Sequence, residues 1–212
     1  MPEVVLHRID GRLTARLMAS GRSMDICAQP PAIDCRPHSR DLSRKQPLAK
    51  ALGAADSIID ATAGLAQDAM FMACLGYRVT AFERSPLLVQ LVRDLLDNLD
   101  PANACSEAIR QRLALTQGDA IQLLPRCEQA DVVYVDPMFP PKRRESALPR
   151  KDIQLIRSVV GDDADSRELF QAALEAAGKR VVVKRPHYAP PLAAGVHHSI
   201  KSKLLRYDVY LK

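Results

Sequence analysis

SIIDATAGLAQDAMFMACLGYRVTAFER, residues 57–84, decides the fold. Ser57 to Asp60 is a short run built on two β-branched isoleucines, and it ends in small residues. Leu65 to Tyr77 places apolar residues at helical spacing and stops at Gly76. Arg78 to Arg84 returns to a strand pattern. A strand, a helix and a second strand in so short a span form a βαβ unit with two parallel strands. The small residues between the first strand and the helix let the backbone approach a ligand closely, and the helix start adds unpaired N–H donors.

The alternation continues down the chain. Ser85 stands at a helix N-cap and Pro86 at the first position of a helix running to Leu99. LALTQGD (113–119) reads as a third strand and AIQLLPR (120–126) as a short helix. DVVYVDP (131–137) is a fourth strand, followed by a helix near Ser166–Gly178 and a fifth strand at VVVKRP (181–186). The tail GVHHSIKSKLLRYDVYLK (195–212) reads as a closing hairpin that supplies an antiparallel C-terminal strand. The expected fold is α/β: a Rossmann-like, mainly parallel sheet with helices on both faces. Right-handed crossovers put the C-terminal ends of the parallel strands along one rim, where open sheets bind ligands.

Residues 1–46 have a different character and are expected to form a small arm or subdomain beside a main domain spanning 47–212. VVLHRIDGRLTARL reads as a hairpin turning at Asp10-Gly11, since Asp-Gly favours the positive φ of a tight turn. AQPPAIDCRPHSRDLSRKQP reads as a Pro-rich linker, and Pro47–Leu52 as a short helix ending at Gly53. This arm holds eight Lys/Arg against five Asp/Glu, more than half of the chain's net +5. A mild excess of this kind permits a polyanionic partner without requiring one. The five cysteines, Cys27, Cys35, Cys74, Cys105 and Cys127, are odd in number with no C-x-x-C pair. They suggest neither a disulfide framework nor a metal site, and fit a reducing compartment. No apolar run reaches the roughly 18 residues of a membrane span, and the N-terminus lacks a signal-peptide core, so a cytoplasmic location is expected.

Four successive strand ends carry the same punctuation. The first gives Asp60, then Gly64, Gln67 and Asp68; the second gives Glu83 and Arg84; the third gives Asp119 and Ala120; the fourth gives Asp136, Pro137 and Phe139. An acid ending the second strand stands where such folds bind a ribose diol. The first loop has no G-x-G-x-x-G and no Walker lysine, which excludes pyrophosphate and triphosphate cradles. A nucleoside without phosphates fits, and S-adenosylmethionine is the common one. At the fourth strand end, Asp136 and the backbone carbonyl of Pro137 are two acceptors for the hydrogens of an exocyclic base amine. Phe139 offers a stacking face for an extruded base, and Lys142, Arg143 and Arg144 offer phosphate contacts. Lys184 and Arg185, at the fifth strand end, are read as further phosphate or base contacts. The alternative gives them a neighbouring acid or the following turn. His197 and His198, adjacent in an expected strand, should point to opposite faces.

DATAGL (60–65), DPMFP (136–140) and VVVKRPHYAPPLA (181–193) together resemble the bacterial 16S ribosomal RNA guanine-N2 methyltransferases that modify guanine 1516. The likeness runs from about Gln46 to Tyr210. It implies a class I methyltransferase fold, S-adenosylmethionine as donor, and 16S rRNA or the small ribosomal subunit as substrate. By position it implies a donor site at Gln67, Asp68, Glu83, Arg84, Asp119, Ala120 and Asp136. Where the family usually reads G-L-G-R-D, this chain reads Gly64-Leu65-Ala66-Gln67-Asp68. That difference implies crowding of the donor's methionine end by Ala66 and the loss of a cation for its carboxylate at Gln67.

Overall fold

The computed structural model describes residues 3–19, 22–36, 38–137 and 165–212. Its centre is a seven-stranded sheet made of β4 (Ser57–Asp60), β5 (Arg78–Glu83), β6 (Leu113–Gln117), β7 (Ala130–Val135), β8 (Ala177–Pro186), β9 (His198–Lys201) and β10 (Leu205–Leu211). The strands lie in the order β6-β5-β4-β7-β8-β10-β9. From β6 to β8 every pairing is parallel. β10 then pairs antiparallel with both β8 and β9. The chain runs outward from β4 through β5 to β6 and then crosses back to lay β7 on the other side of β4. That reversal opens a crevice above the C-terminal tips of β4 and β7.

The central strands are buried on both faces, and their side chains divide by the period of two that a pleated strand imposes. Ile58, Val132, Tyr134 and Val182 enter the core on one side. Ile59, Val133, Val135, Val181 and Val183 enter the other. The first core is covered by α1 (Pro47–Leu52), α2 (Gln67–Cys74) and α3 (Pro86–Asp97), with α4 (Ala104–Arg112) reaching it through Ile109. The second is covered by α5 (Ala120–Leu123) and α6 (Ser166–Ala176). Ser85 caps α3 as expected, its side chain accepting from the Leu88 N–H. α2 starts only at Gln67 because Ala66 before it has φ 58, in the left-handed region.

The N-terminal segment is a three-stranded antiparallel sheet, β1 (Glu3–Ile9), β2 (Arg12–Ala19) and β3 (Arg22–Ile26), in sequence order. Asp10 (φ 48) and Gly11 (φ 78) make the tight turn of the expected hairpin. The third strand extends that hairpin. Ala15 and Leu17 of β2 are wholly buried in the same core as α3. Asp94 of α3 accepts from the Leu13 N–H at 2.9 Å and from the Arg8 guanidinium at 2.6 Å. Beyond β3, Cys35 forms a disulfide with Cys105 of α4, against the expectation drawn from cysteine count and spacing. The two are 70 residues apart in sequence and meet only through the fold, so spacing carries no trace of the pairing. His197 and His198 are a second correction. β9 begins at His198, strand alternation does not hold across the pair, and their Nδ1 atoms lie 2.9 Å apart.

Candidate active site

The rim above β4 and β7 is laced together before any ligand is considered. At the tip of β4 the Thr62 N–H donates to Asp60 Oδ1 at 3.0 Å. The Thr62 hydroxyl oxygen accepts from the Asp136 N–H at 2.7 Å, so one threonine fixes the turn after β4 to the turn after β7. Asp60 is 1% exposed. Burial pushes its carboxyl up to about 8, the Thr62 N–H works against that, and the carboxylates of Asp68 and Asp136 add to it.

Glu83 ends β5 buried. One carboxylate oxygen accepts from the Gly64 N–H at 2.8 Å and the other from the Ser85 N–H at 2.7 Å. Gly64 has φ 57, and a Cβ placed on it would meet no atom within 4 Å, so the missing side chain leaves open room on the cavity wall. Arg84 donates to Asp165 at 3.0 Å. At the third tip the Gly118 N–H donates to the Glu83 carbonyl at 2.9 Å, and Asp119 caps α5 by accepting from the Ile121 N–H at 2.9 Å. The acids at these tips therefore hold their turns and face the cavity at once.

Across the crevice, Lys184 of β8 bonds two carboxylates. Its Nζ donates to Asp68 Oδ2 at 2.8 Å and to Asp136 Oδ2 at 2.9 Å. The hydroxyl of buried Tyr134 donates to the same Asp68 oxygen at 2.5 Å. Burial alone would lower the Lys184 ammonium, but the carboxylates of Asp136 and Asp68 outweigh it and hold the group above the ordinary lysine range. Burial, together with the same two carboxylates, raises the Tyr134 phenol well above its usual value. Burial likewise pushes Tyr207, which pairs with Lys184 in the register of β10 and β8, up to about 12.

Asp60, Gly64, Gln67, Asp68, Glu83, Arg84, Asp119, Ala120 and Asp136 all line one cavity of about 310 Å³. Every residue expected to hold the donor is thus brought to a single place. Pro137 is buried directly after Asp136. Phe139, Lys142, Arg143 and Arg144 lie outside the described residues. Lys184 and Arg185, expected either as phosphate or base contacts or as partners of a neighbouring acid and the following turn, make the second kind of contact here. Lys184 has taken the neighbouring acids, and Arg185, 5% exposed, donates twice to the Pro190 carbonyl of the following turn. Ala66 does not line the cavity: it is wholly buried, so its methyl group belongs to the core. Gln67 donates its amide to the Gln29 carbonyl, and Ile26 forms part of the cavity wall. The N-terminal segment therefore borders the site, which no sequence pattern announced. Tyr134 was also missed, though a tyrosine inside a valine run at a strand end is a readable signal.

The cavity suits S-adenosylmethionine on three counts. Its volume falls in the range of small-molecule sites. The buried acid at the tip of β5 stands beside open backbone at Gly64. And among the described lining residues the carboxyls of Asp68, Glu83, Asp119, Asp136 and Asp165 outnumber the cations of Arg84 and Lys184, an excess of negative charge suited to a sulfonium. This strand order with this rim defines the class of S-adenosylmethionine-dependent methyltransferases, and residues 23–212 match the family model described as "Putative SAM-dependent methyltransferase". A SAM-dependent methyltransferase from Neisseria gonorrhoeae, solved by crystallography, superposes with a TM-score of 0.70 at 27% identity, over 99% of this chain and 83% of that one. Ribosomal RNA small subunit methyltransferase J of Stutzerimonas stutzeri is 45% identical over 174 residues, 79% of this chain and 67% of that protein. The protein of the same name from Desulfotalea psychrophila is 41% identical over 180 residues, 82% of this chain and 68% of that protein. The chain belongs to the ribosomal RNA small subunit methyltransferase J family.

Proposed function

We propose that the chain methylates the exocyclic N2 of a guanine, guanine 1516, in 16S rRNA of the small ribosomal subunit, and does so in the cytoplasm. The names of the relatives support the RNA. The observation that carries the chemistry is that Asp136 opens into the same cavity as Glu83 and Asp119. When bound, S-adenosylmethionine supplies an electrophilic methyl group on a sulfonium. Gly64, Gln67, Asp68, Glu83, Arg84, Asp119 and Ala120 hold the donor, with Asp60 beneath it.

A base amine is a poor nucleophile because its lone pair is delocalised into the ring. The Asp136 carboxylate and the Pro137 carbonyl accept its two hydrogens and turn the lone pair toward the methyl group. Pro137 has no N–H to oppose the amine and fixes the turn. Rate then comes from in-line positioning, with electrostatics second. Phe139 stacks on the extruded base, and Lys142, Arg143 and Arg144 hold the phosphates beside it. Residues 1–46 act as an arm that closes the donor side through Ile26 and Gln29.

The test compares wild type with Asp136→Ala, using labelled methyl transfer to small-subunit RNA lacking the modification, followed by nucleoside analysis. Wild type should yield N2-methylguanine. The variant should lose about 10²–10³-fold in rate while still binding S-adenosylhomocysteine. Full activity in the variant would remove Asp136 from the chemistry, and labelled N6-methyladenine would change the base.

A further inference from the structure

Lys184 is the cation at which the donor side and the acceptor side of the cavity meet. Among the described residues, four titratable groups face it and a fifth reaches it through one of them. Asp68 comes from α2, Asp136 from the turn after β7, Asp60 from the tip of β4 and Tyr207 from β10, while Tyr134 of β7 bonds the Asp68 oxygen that Lys184 also holds. Its side chain is 18% exposed, and its ammonium is engaged by Asp68 and Asp136 together. A cation held this way is poorly placed to reach a phosphate.

We propose that Lys184 is the positioning residue of methyl transfer: it keeps Asp136 ionised and aimed at the acceptor amine, and it ties that aim to the donor-side carboxylate Asp68. The inference rests on the methyl-transfer reading above. Its physical basis is the crowding of acids. Asp136 and Asp68 converge on one ammonium, and like charges brought that close drive a carboxylate to take up a proton unless a cation intervenes. A protonated Asp136 would present an O–H to the amine where an acceptor is required. An ionised carboxylate has about four acceptor positions, so a bond to Lys184 does not prevent it from also accepting an amine hydrogen. The ammonium also pins Oδ2 in place through a bond whose other partner, Asp68, is itself held by the Tyr134 hydroxyl.

The test uses the full chain with Lys184→Met, which is similar in length and uncharged, Lys184→Arg, which keeps the charge, and Asp68→Asn. The first readout needs no substrate: the ¹³C carboxyl resonance of Asp136 is followed with pH. In Lys184→Met its titration should move up by at least about one unit. The second is the pH–rate profile of methyl transfer to small-subunit RNA. Lys184→Met should fall about 100-fold near neutrality with its acid limb moved up, so that rate returns as pH rises. Lys184→Arg should restore the position of the limb. Asp68→Asn, which leaves Lys184 to Asp136 alone, should move it down. A loss equal at every pH, an unmoved Asp136 titration, or a raised KM for RNA with kcat intact would overturn the proposal. If wild type transfers nothing to the RNA while the Asp136 titration shifts as described, the substrate reading fails and the role of Lys184 toward Asp136 stands.

Discussion

Asp60→Asn isolates the energetic consequence of burying an acid beneath the donor. Asparagine keeps the Oδ1 acceptor for the Thr62 N–H, so the turn survives and only the ionisation is removed. In the unfolded chain the Asp60 carboxyl titrates near 3.8, and in the folded protein burial raises it to about 8. Between those values the folded state keeps a proton that the unfolded state releases. Stability is therefore full below about pH 4 and is lost as pH rises through the folded value. From pH 5.5 to 8 the interval is about 2.5 units, and at 1.36 kcal/mol per unit wild type should lose about 3 kcal/mol that the variant keeps. Among the described residues, the other shifted groups titrate outside this window. The Arg36 guanidinium holds the Asp34 carboxyl at about 2, and burial pushes the Cys74 thiol up to about 11. Urea denaturation of both proteins at several pH values measures the gap directly, with the variant gaining on wild type as pH rises. Parallel stability curves would refute the reasoning, since they would mean that Asp60 ionises as an exposed acid does.

Two further predictions concern the backbone before α2 and the N-terminal sheet. Ala66→Val puts a β-branched residue at φ 58 in a wholly buried place and should cost about 2–3 kcal/mol, while Ala66→Gly should stay within about 1 kcal/mol of wild type; denaturant midpoints decide it. Leu17→Ala should cost about 2–5 kcal/mol and leave a single unfolding transition, because Leu17 packs in the same core as α3. Two separated transitions in calorimetry would show instead that the N-terminal sheet unfolds on its own.

The βαβ core was legible because its signals are local and repeated. Isoleucine and valine runs mark the buried strands, and Ser85-Pro86 marks a helix start by chemistry that needs no tertiary context. α4 was missed because its apolar face is thin, with Ile109 the main residue it sends into the core. β3 was missed because RSMDI has no strong strand pattern and takes its form from pairing with β2. In the site, the four strand tips were legible as punctuation, and the cavity gathers them. The partner of Lys184 was readable in principle. Alternation along β8 puts Lys184 on the same side as Val182, the side covered by α2, from which Asp68 projects. The same alternation sends Arg185 to the other side, to the carbonyl of Pro190. Charge at a strand tip suggested RNA, and the period of two, followed one residue further, separates the two cations.

The triad of Asp68, Asp136 and Lys184 draws its members from positions up to 116 residues apart, and the last of them lies on a strand set between β7 and β10. A growing chain that has not yet threaded β8 into the sheet holds both acids and lacks the ammonium that reconciles them. The ion-paired arrangement of the crevice is therefore a certificate of completed folding, since its lysine arrives only with that strand. Any truncation or local opening that withdraws β8 removes the ammonium from between Asp68 and Asp136 and unties the donor side from the acceptor side.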